Sequence, residues 1–330
     1  MNEGTVQSFL VPNYSGLLYN KANTNTPFLN SISGRVKYTN SVEFVCGQYY
    51  TSEEGAIPNI SETASLTAPT ATYVTRTQMT NVTQIFHETV SVSYAKQSNM
   101  ATLSGANIAG QVANPQNELD FQTASKMNKI KRSIEKAFIQ GTYNKAASDS
   151  QVNKTRGILA AITTNVVAAG GAALDLWLVN ELVTDIKNAG GDISNLILSV
   201  NTANLNQLHG NAVEMGMEVG QPYMNGFGIM VRDLLLPIGA VIRVGLGEFL
   251  PSGTALVYNP AVCGPVEQPV PNKGNFFREP LAKTGAGETY QIFGQIGLDH
   301  GPEWYHGKIT GLSTTFTKPI GQKVVTVQSA

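Results

Sequence analysis

The segment from Tyr73 to Tyr94, YVTRTQMTNVTQIFHETVSVSY, constrains the fold more than any other part of the sequence. From Val82 onward its polarity alternates with a period of two, which is the side-chain period of a β-strand. A strand of about 20 residues is several times the usual length, and an isolated two-stranded hairpin is marginal in water, so we expect this one to rest on a neighbour. One face comprises Val82, Phe86, Val90, Val92 and Tyr94, and the other comprises Asn81, Thr83, His87, Thr89, Ser91 and Ser93.

A shorter strand and a polar arm precede this segment. The stretch SVEFVCGQYY at 41–50 reads as a strand, and the turn-rich residues from Ser52 to Pro69 follow it. Together they predict an extended two-stranded loop over 41–94 with a loose tip. Residues 1–40 are rich in Asn, Ser and Gly and show no sustained period of 2 or 3.6. We expect an arm of this length to be disordered or laid along another surface.

A long amphipathic helix is predicted at 115–140. Asn114-Pro115 is a typical start signal, because proline is favoured at the first helical position, and Gly141 ends the helix. One face repeats apolar residues at spacings of three and four, as expected for a helix packed on a core. That face comprises Leu119, Met127, Ile130, Ile134, Ala137 and Phe138, whereas Lys126, Lys129, Lys131, Arg132, Glu135 and Lys136 lie mostly on the others. The basic side chains are suited to phosphate contact, although a solvated helix face is the commoner explanation for such a stripe.

The remaining chain mixes helices and strands. A second helix is predicted at 175–189, with Asp175 as its cap and a buried stripe of Val179, Leu182, Val183 and Ile186. A strand at 196–200, a short helix capped by Thr202, and several further strands follow, punctuated by glycine and proline. There are no repeats and no regular βαβ alternation, so this order of elements indicates an α+β fold.

Composition and charge exclude several classes of protein. Only 14% of residues are charged, well below the usual quarter, which fits a surface covered by other copies of the chain and equally an ordinary Thr/Asn-rich β protein. The net charge of -1 gives no electrostatic footprint for tight nucleic-acid binding. Cys46 and Cys263 have no CxxC partner, so we expect buried free thiols. We also expect a soluble cytoplasmic protein without membrane contact, because no signal peptide is recognisable and the longest apolar runs are too short to span a bilayer.

One cluster of residues has the density of a metal site: Asp299, His300, Glu303 and His306. A metal site needs three or four converging ligands. A helix would bring several of them together, but glycine and proline interrupt the segment GPEWYHG and the flanks read as strands. We therefore predict a β-hairpin turn carrying aromatic residues, and a metal-dependent hydrolase using these four residues stays as the alternative. No GxxxxGK[ST] phosphate loop or GxSxG elbow occurs, so no catalytic, cofactor or metal residue is assigned and no cofactor is expected.

The order of these elements resembles a tailed-bacteriophage major capsid protein with the Hong Kong 97 fold. The resemblance covers nearly the whole chain, including NKTRGIL after the long helix, LVNELVTDIKNAGG in the following block, and HGKITGL at 306–312, which matches a pattern common near the end of such proteins. It implies an N-terminal arm (1–40), an extended loop (41–94), a peripheral domain (95–173) with a spine helix (115–140), an apical domain (174–262), and a return to the peripheral domain with a C-terminal tail (263–330).

The resemblance also implies what the protein does. It would be a structural protein, not an enzyme, that assembles in the bacterial cytoplasm into hexamers and pentamers of an icosahedral head around double-stranded DNA. Its partners would be many copies of itself, a portal and scaffold or decoration proteins, and an encapsulin-like nanocompartment shell is the alternative within the fold. Candidate inter-subunit contacts are Glu53, Glu54, Arg278 and Glu279, and candidate weak DNA contacts are Lys126, Lys129, Arg132 and Lys136.

Two departures from the prototype of that fold carry expectations of their own. The prototype has a long N-terminal scaffolding segment, whereas here only the arm precedes the extended loop, so we expect a separate scaffold or none. The prototype also joins its subunits by a lysine–asparagine bond. The predicted loop tip contains no lysine, so we expect no such crosslink.

Overall fold

The computed structural model describes residues 25–53, 55–95, 118–214, 223–224, 230–283 and 285–315. The described helices are α1 (Pro27–Ile32), α2 (Glu62–Ser65), α3 (Glu118–Gln140), α4 (Ile158–Ala161), α5 (Leu176–Asn188) and α6 (Thr202–Glu214). The first seven strands are β1 (Lys37–Tyr38), β2 (Glu43–Tyr50), β3 (Arg76–Val82), β4 (Gln84–Ser93), β5 (Val166–Ala168), β6 (Ile197–Val200) and β7 (Tyr223–Met224). The others are β8 (Met230–Leu235), β9 (Val241–Leu246), β10 (Ala255–Tyr258), β11 (Gly264–Glu267), β12 (Phe277–Pro280), β13 (Gly287–Asp299) and β14 (Gly307–Thr310).

The described strands form three sheets. A five-stranded sheet has the order β1-β11-β13-β12, with β4 also paired to β13. A seven-stranded sheet has the order β5-β14-β10-β6-β9-β8-β7, and β2 and β3 form a separate two-stranded ribbon. Segregated helices and mixed sheets in this arrangement confirm the predicted α+β class.

The spine helix, α3, packs on the five-stranded sheet as its apolar stripe predicted. Ile130, Ile134 and Phe138 are buried in one core with Phe86 and Val90 of β4. The helix is described from Glu118, so the predicted start at Asn114-Pro115 lies outside the described residues.

One residue of the helix was assigned to the wrong face. Glu135 was predicted to lie with the solvated charges, but its side chain is fully buried. It sits beside the apolar stripe because a segment remote in sequence, the start of α1, covers it.

The arm prediction is wrong for the part of the arm that the structure describes. Residues 27–38 form α1, a 3-10 turn and β1, and Phe28 and Ile32 are buried in the same core as the spine helix. Two apolar side chains one helical turn apart suffice to anchor a short helix, although they are too few to produce a recognisable period. Residues 1–24 lie outside the described residues.

The long β segment is two strands in two different sheets. The residue Thr83 separates β3, which pairs with β2 in the ribbon, from β4, which pairs with β13 over Gln84–Ser93. The predicted apolar face is buried at Val82, Phe86, Val90 and Val92, whereas Tyr94 is exposed. Asn81 and Thr83 are buried against the expectation of a polar face, since both lie where the chain crosses from ribbon to sheet.

The second predicted helix, α5, is confirmed together with its cap. The Leu178 backbone N–H donates to Asp175 Oδ1 at 2.8 Å, and the stripe predicted for this helix is fully buried. The cap predicted for the next helix is wrong by one residue, because Thr202 is the first helical residue and Asn201 Oδ1 accepts from the Asn204 N–H at 2.8 Å.

The segment GPEWYHG is not a hairpin turn. It connects β13 of the five-stranded sheet to β14, which pairs with β10 and with β5 in the seven-stranded sheet. The hairpin prediction failed because the two flanking strands pair with distant strands instead of each other. As a result β5 and β14, which lie outside 174–262, complete the sheet of the predicted apical block.

Candidate functional site: the extended loop, its root and the spine helix

The tip of the extended loop exposes large apolar side chains. Ile57, Ile60 and Leu66 are 94%, 68% and 84% exposed, respectively. The one described helix of the tip, α2, is capped locally, because the Ala64 N–H donates to Ser61 Oγ at 3.2 Å. Several exposed apolar side chains therefore belong to one short segment, and grouped apolar exposure is typical of contact surfaces, whereas scattered single residues are the normal case.

A shallow cavity lies where the ribbon opens into the tip. Its walls include three tyrosines, Tyr49, Tyr50 and Tyr73, together with the carboxylate of Glu53 and several threonines. Glu53 is therefore placed on the exposed loop, as a contact candidate requires. Glu54, the other candidate in the tip, lies outside the described residues.

The root of the ribbon is held by the buried amide of Asn81. Its Nδ2 donates to the carbonyls of Arg156 and Leu298 at 3.1 and 2.8 Å. Its Oδ1 accepts from the N–H groups of Arg156 and Val82 at 2.7 and 2.9 Å. The thiol of Cys46 on β2 contacts the same Leu298 carbonyl at 3.4 Å. One side chain thus joins β3 to the segment before α4 and to the end of β13.

The two acids of the predicted metal cluster bind other groups of the protein. Asp299 forms an ion pair with Lys37 of the arm. Glu303 accepts the N–H groups of Thr163 and Thr164 at 2.8 and 3.1 Å, as well as the Thr164 hydroxyl. Burial opposes ionisation of Glu303, but these hydrogen bonds together outweigh it and hold its pKa below the usual range.

The two histidines of the cluster are also engaged by backbone groups. His306 Nδ1 accepts the Asn259 N–H at 3.2 Å and its Nε2 lies 2.7 Å from the His300 carbonyl, which defines the Nε2–H tautomer. Complete burial lowers the pKa of His306 to about 4, so the ring is neutral. His300 Nδ1 lies 2.8 Å from the Gly301 carbonyl, and its Nε2 is buried with no hydrogen-bond partner among the described residues.

The cluster is therefore a folded corner. In the described part of the chain, no three His, Cys, Asp or Glu side chains converge as metal ligands. The aromatic content of the corner has a packing role, because the Trp304 ring meets the Tyr49 ring of β2 edge-on at a centroid distance of 4.9 Å. Cys46 and Cys263 are free and buried, as predicted, and burial raises the pKa of the Cys46 thiol to about 12.

Two of the four candidate DNA contacts share one acidic partner within the subunit. Lys126 Nζ lies 2.9 Å from Glu88 Oε2, and Lys129 binds the other oxygen of the same carboxylate. The bond from Lys129 is the largest cause that holds the pKa of Glu88 below its usual range. Arg132 lies over the Phe249 ring at 5.8 Å, and Lys136 is exposed.

The candidate contacts on β12 also have partners within the subunit. The Arg278 guanidinium lies over the Tyr290 ring at 4.9 Å and 3.7 Å from Asp120. Glu279 accepts from Lys273 Nζ at 2.6 Å and from Gln291 Nε2 at 3.3 Å. Both side chains keep a large exposed fraction, so they remain accessible to a neighbouring subunit. Their inter-subunit role stays a prediction.

One protein family accounts for nearly the whole chain. Residues 1–313 match the family model for the SU10 major capsid protein. The chain belongs to this family. It is thus a major capsid protein of a tailed bacteriophage, and the family indicates a structural protein and not an enzyme.

Solved structures share the fold of this capsid protein at low sequence identity. The cyanophage A-1(L) capsid protein has a TM-score of 0.64 at 10% identity, covering 93% of this chain and 98% of that one. A Mycobacterium phage Bobi chain has 0.56 at 13%, covering 94% and 98%. The SrpI encapsulin of Synechococcus elongatus PCC 7942 has 0.56 at 10%, covering 90% and 94%. These likenesses confirm the Hong Kong 97 fold, and a search of curated proteins finds no match.

Among the helices that the structure describes, none has the length and apolar character needed to cross a membrane.

Proposed function

We propose that this capsid protein assembles from many copies into the icosahedral head of a tailed double-stranded DNA phage, with the extended loop of each subunit lying over its neighbour. The observation that carries the proposal is the contrast between the loop's buried, hydrogen-bonded root at Asn81 and its exposed apolar tip. A segment fixed at one end that projects apolar side chains at the other is built to contact a second molecule.

The energy available from the tip is sufficient for a repeated weak contact. Fully burying a large apolar side chain contributes roughly 1.5–3 kcal/mol. Ile57, Ile60 and Leu66 together therefore offer several kcal/mol per subunit before the cost of ordering the tip. In a closed shell every subunit makes and receives this contact, so a modest contribution is multiplied over the assembly.

The division of the subunit supports the same proposal. We assign the arm, the extended loop, the peripheral domain with the spine helix, and the apical domain as the resemblance implies, with β5 and β14 added to the apical sheet. The five-stranded sheet and the spine helix then form the peripheral domain. Glu53, Glu54, Arg278 and Glu279 remain our candidate inter-subunit contacts.

The proposed partners follow from a head that holds a genome. They are other copies in hexamers and pentamers, a portal, scaffold or decoration proteins, and DNA held by weak non-specific contacts, with assembly in the host cytoplasm. We expect DNA contact to be confined to the spine-helix face and the N-terminal arm. Among the described residues Arg132 and Lys136 form no ion pair, whereas Lys126 and Lys129 share Glu88. An encapsulin-like shell is the second candidate, favoured by the likeness to the SrpI encapsulin. Purified particles that contain protein instead of DNA would support this second candidate.

Deleting residues 52–69 tests the proposal. The expected product is a folded subunit that forms no closed shells, because the tip supplies contacts to neighbours and none of the described apolar core. The matched control shortens a different exposed loop, 147–151, and should still assemble. Electron micrographs and sedimentation of both purified proteins give the readout. Closed shells from the tip deletion would refute the overlapping-loop proposal.

A further inference from the structure

We infer that the side chain of Asn81 sets the direction in which the extended loop leaves the subunit, and so positions the loop for neighbouring copies. This assigns a positioning role to a residue whose side chain lies inside the subunit, away from every proposed contact. The inference rests on the proposed function for its consequence, but its geometric claim can be tested on a single subunit.

Every hydrogen-bonding group of the Asn81 amide is used. An asparagine side chain offers two N–H donors and a carbonyl with two lone pairs. Here both donors go to carbonyls, of Arg156 and Leu298, and both lone pairs accept N–H groups, of Arg156 and Val82. The amide therefore bonds both the N–H and the carbonyl of Arg156, in the manner of a paired strand, while it also holds the end of β13.

The apolar cluster and the thiol at the root constrain the direction of the ribbon much less than the Asn81 amide does. Phe44, Cys46 and Val266 form a small apolar cluster under the ribbon, and apolar attraction is non-directional. The thiol of Cys46 is a weak donor, and its contact with the Leu298 carbonyl is long, at 3.4 Å. Hydrogen bonds weaken steeply away from linearity, and three of the four Asn81 bonds join the ribbon to Arg156 and Leu298. Together with the bond from the Thr83 hydroxyl to Gln268 Oε1 at 2.6 Å, they restrain the direction of the ribbon.

The approach of the ribbon to the sheet is close at this point. A side chain added at Gly297 of β13 would place its Cβ 2.7 Å from the Phe44 ring and 2.8 Å from the Val82 carbonyl. The ribbon thus rests directly on the backbone of β13. Because the ribbon touches β13 at this point, a change in the hydrogen bonds beside the contact would tilt the whole ribbon about it.

The ribbon acts as a lever on the position of the tip. Strand β3 has 7 residues from the root to its far end at Arg76, which at about 3.4 Å per residue is roughly 20 Å. A tilt of about 10° at the root would move that end by about 4 Å, which is the length of a van der Waals contact. The tip lies beyond this end, so its displacement would be larger and its contacts with a neighbour would be lost.

A matched control exists elsewhere in the chain. Gln207 is a buried amide that accepts the Leu174 N–H at 3.2 Å and donates to the carbonyls of Ser313 and Thr315 at 3.3 and 2.7 Å. It also ties three segments together, but on helix α6, whose apolar residue Leu208 belongs to the core of the seven-stranded sheet and not to the ribbon. Gln207→Ala therefore removes a comparable set of buried hydrogen bonds and leaves the contacts of the extended loop unchanged.

The test measures direction and assembly separately. Spin labels are attached to cysteines introduced at Arg76 and Asp149, both exposed, whereas the native thiols are buried and should not react. Pulsed electron resonance on the unassembled subunit should show that Asn81→Ala shifts or broadens the label distance by about 4 Å or more, on the lever estimate above. Gln207→Ala should leave the distance unchanged. If Asn81→Ala does not fold, Asn81→Ser serves, because a hydroxyl cannot bond both segments.

Assembly yields complete the experiment. At a temperature where both variants are folded, the Asn81 variant should form at least tenfold fewer closed shells than the Gln207 variant. An unchanged label distance in the folded Asn81 variant would overturn the inference, whatever the shells do. A changed distance with normal shells would instead leave Asn81 as the positioning residue and refute the overlapping-loop proposal.

Discussion

Replacing Glu135 with Gln is expected to remove a loss of subunit stability that occurs between about pH 4.5 and 7. Glu135 is fully buried on the spine helix, and its two oxygens accept the N–H groups of Phe28 and Leu29 at 2.9 and 2.6 Å. Burial disfavours the carboxylate and outweighs these hydrogen bonds, with a smaller contribution from Glu248, and the pKa rises to about 7. Among the described residues Tyr258 also faces Glu135. The ordinary pKa of a tyrosine hydroxyl lies well above 7, and burial raises the pKa of Tyr258 further.

The sign and size of the effect follow from proton linkage. The ordinary pKa is 4.5 and the folded value is about 7, so the folded state binds its proton more tightly than the unfolded state. Stability must then fall as pH rises from about 4.5 to 7, because the native state binds more protons in that window. At about 1.4 kcal/mol per pKa unit the full loss is roughly 3 kcal/mol. Gln is uncharged at every pH, so the variant lacks this loss. Its Nε2 cannot accept the second backbone N–H, however, so one of the two hydrogen bonds is lost at every pH, which costs about 1–3 kcal/mol.

Urea unfolding of the unassembled subunit at a series of pH values measures the difference. The variant should be less stable than the wild type near pH 4 because of the lost hydrogen bond, and the difference in stability should shift in its favour by roughly 3 kcal/mol between pH 4 and pH 8. All other groups titrate in both proteins and cancel in the difference. Glu88→Gln is the control of opposite sign, because Lys129 and Lys126 lower that pKa. A difference in stability between Glu135→Gln and the wild type that does not change between pH 4 and pH 8 would show that burial leaves the pKa of Glu135 near its ordinary value, and would refute the reasoning.

Two further predictions concern the exposed charges. Filter binding of the unassembled subunit to duplex DNA should show negligible retention at physiological salt. Glu88→Gln should raise retention only at low salt, because it frees Lys126 and Lys129 from their shared partner. Tight, sequence-selective retention would contradict a head lining along which DNA must slide. Exchanging the charges of Arg278 and Glu279 should slow assembly, followed by light scattering, while the subunit's melting temperature stays nearly constant, because exposed ion pairs contribute about 1 kcal/mol or less. Unfolding of the exchanged subunit would make the pair a support of its own fold.

Sequence pattern predicted the elements whose signals are local. The alternation through Phe86, Val90 and Val92 and the stripe of α5 both place apolar side chains where the structure buries them. Asp175 was identifiable as a cap because the bond it accepts comes from a residue three positions on. In each case the partners lie within one or two turns or within one strand, so the pattern contains the information needed.

The failures share a different physical origin. Glu135 was placed with the solvated charges because periodicity counts a carboxylate as polar, whereas its partners Phe28 and Leu29 lie more than a hundred residues away. Asn81 was placed on a polar face for the same reason, although it bonds Leu298 at a separation of 217 residues. The hairpin at GPEWYHG was wrong because pairing of β13 and β14 with distant strands is invisible in the flanking sequence.

The buried polar groups explain how a chain with so few charges holds its projecting parts. Glu135 and Asp299 bind the arm, and Asn81 binds the ribbon, in each case to a segment remote in sequence. Leaving a buried donor or acceptor unpaired costs more than a hydrogen bond contributes, so each of these segments is restrained to the one placement that satisfies the group. Apolar packing alone would allow the arm helix or the ribbon to slide or tilt at little cost. In a subunit whose neighbours must meet the same surface many times over, restraint of direction matters more than added stability, and a few buried polar side chains supply it.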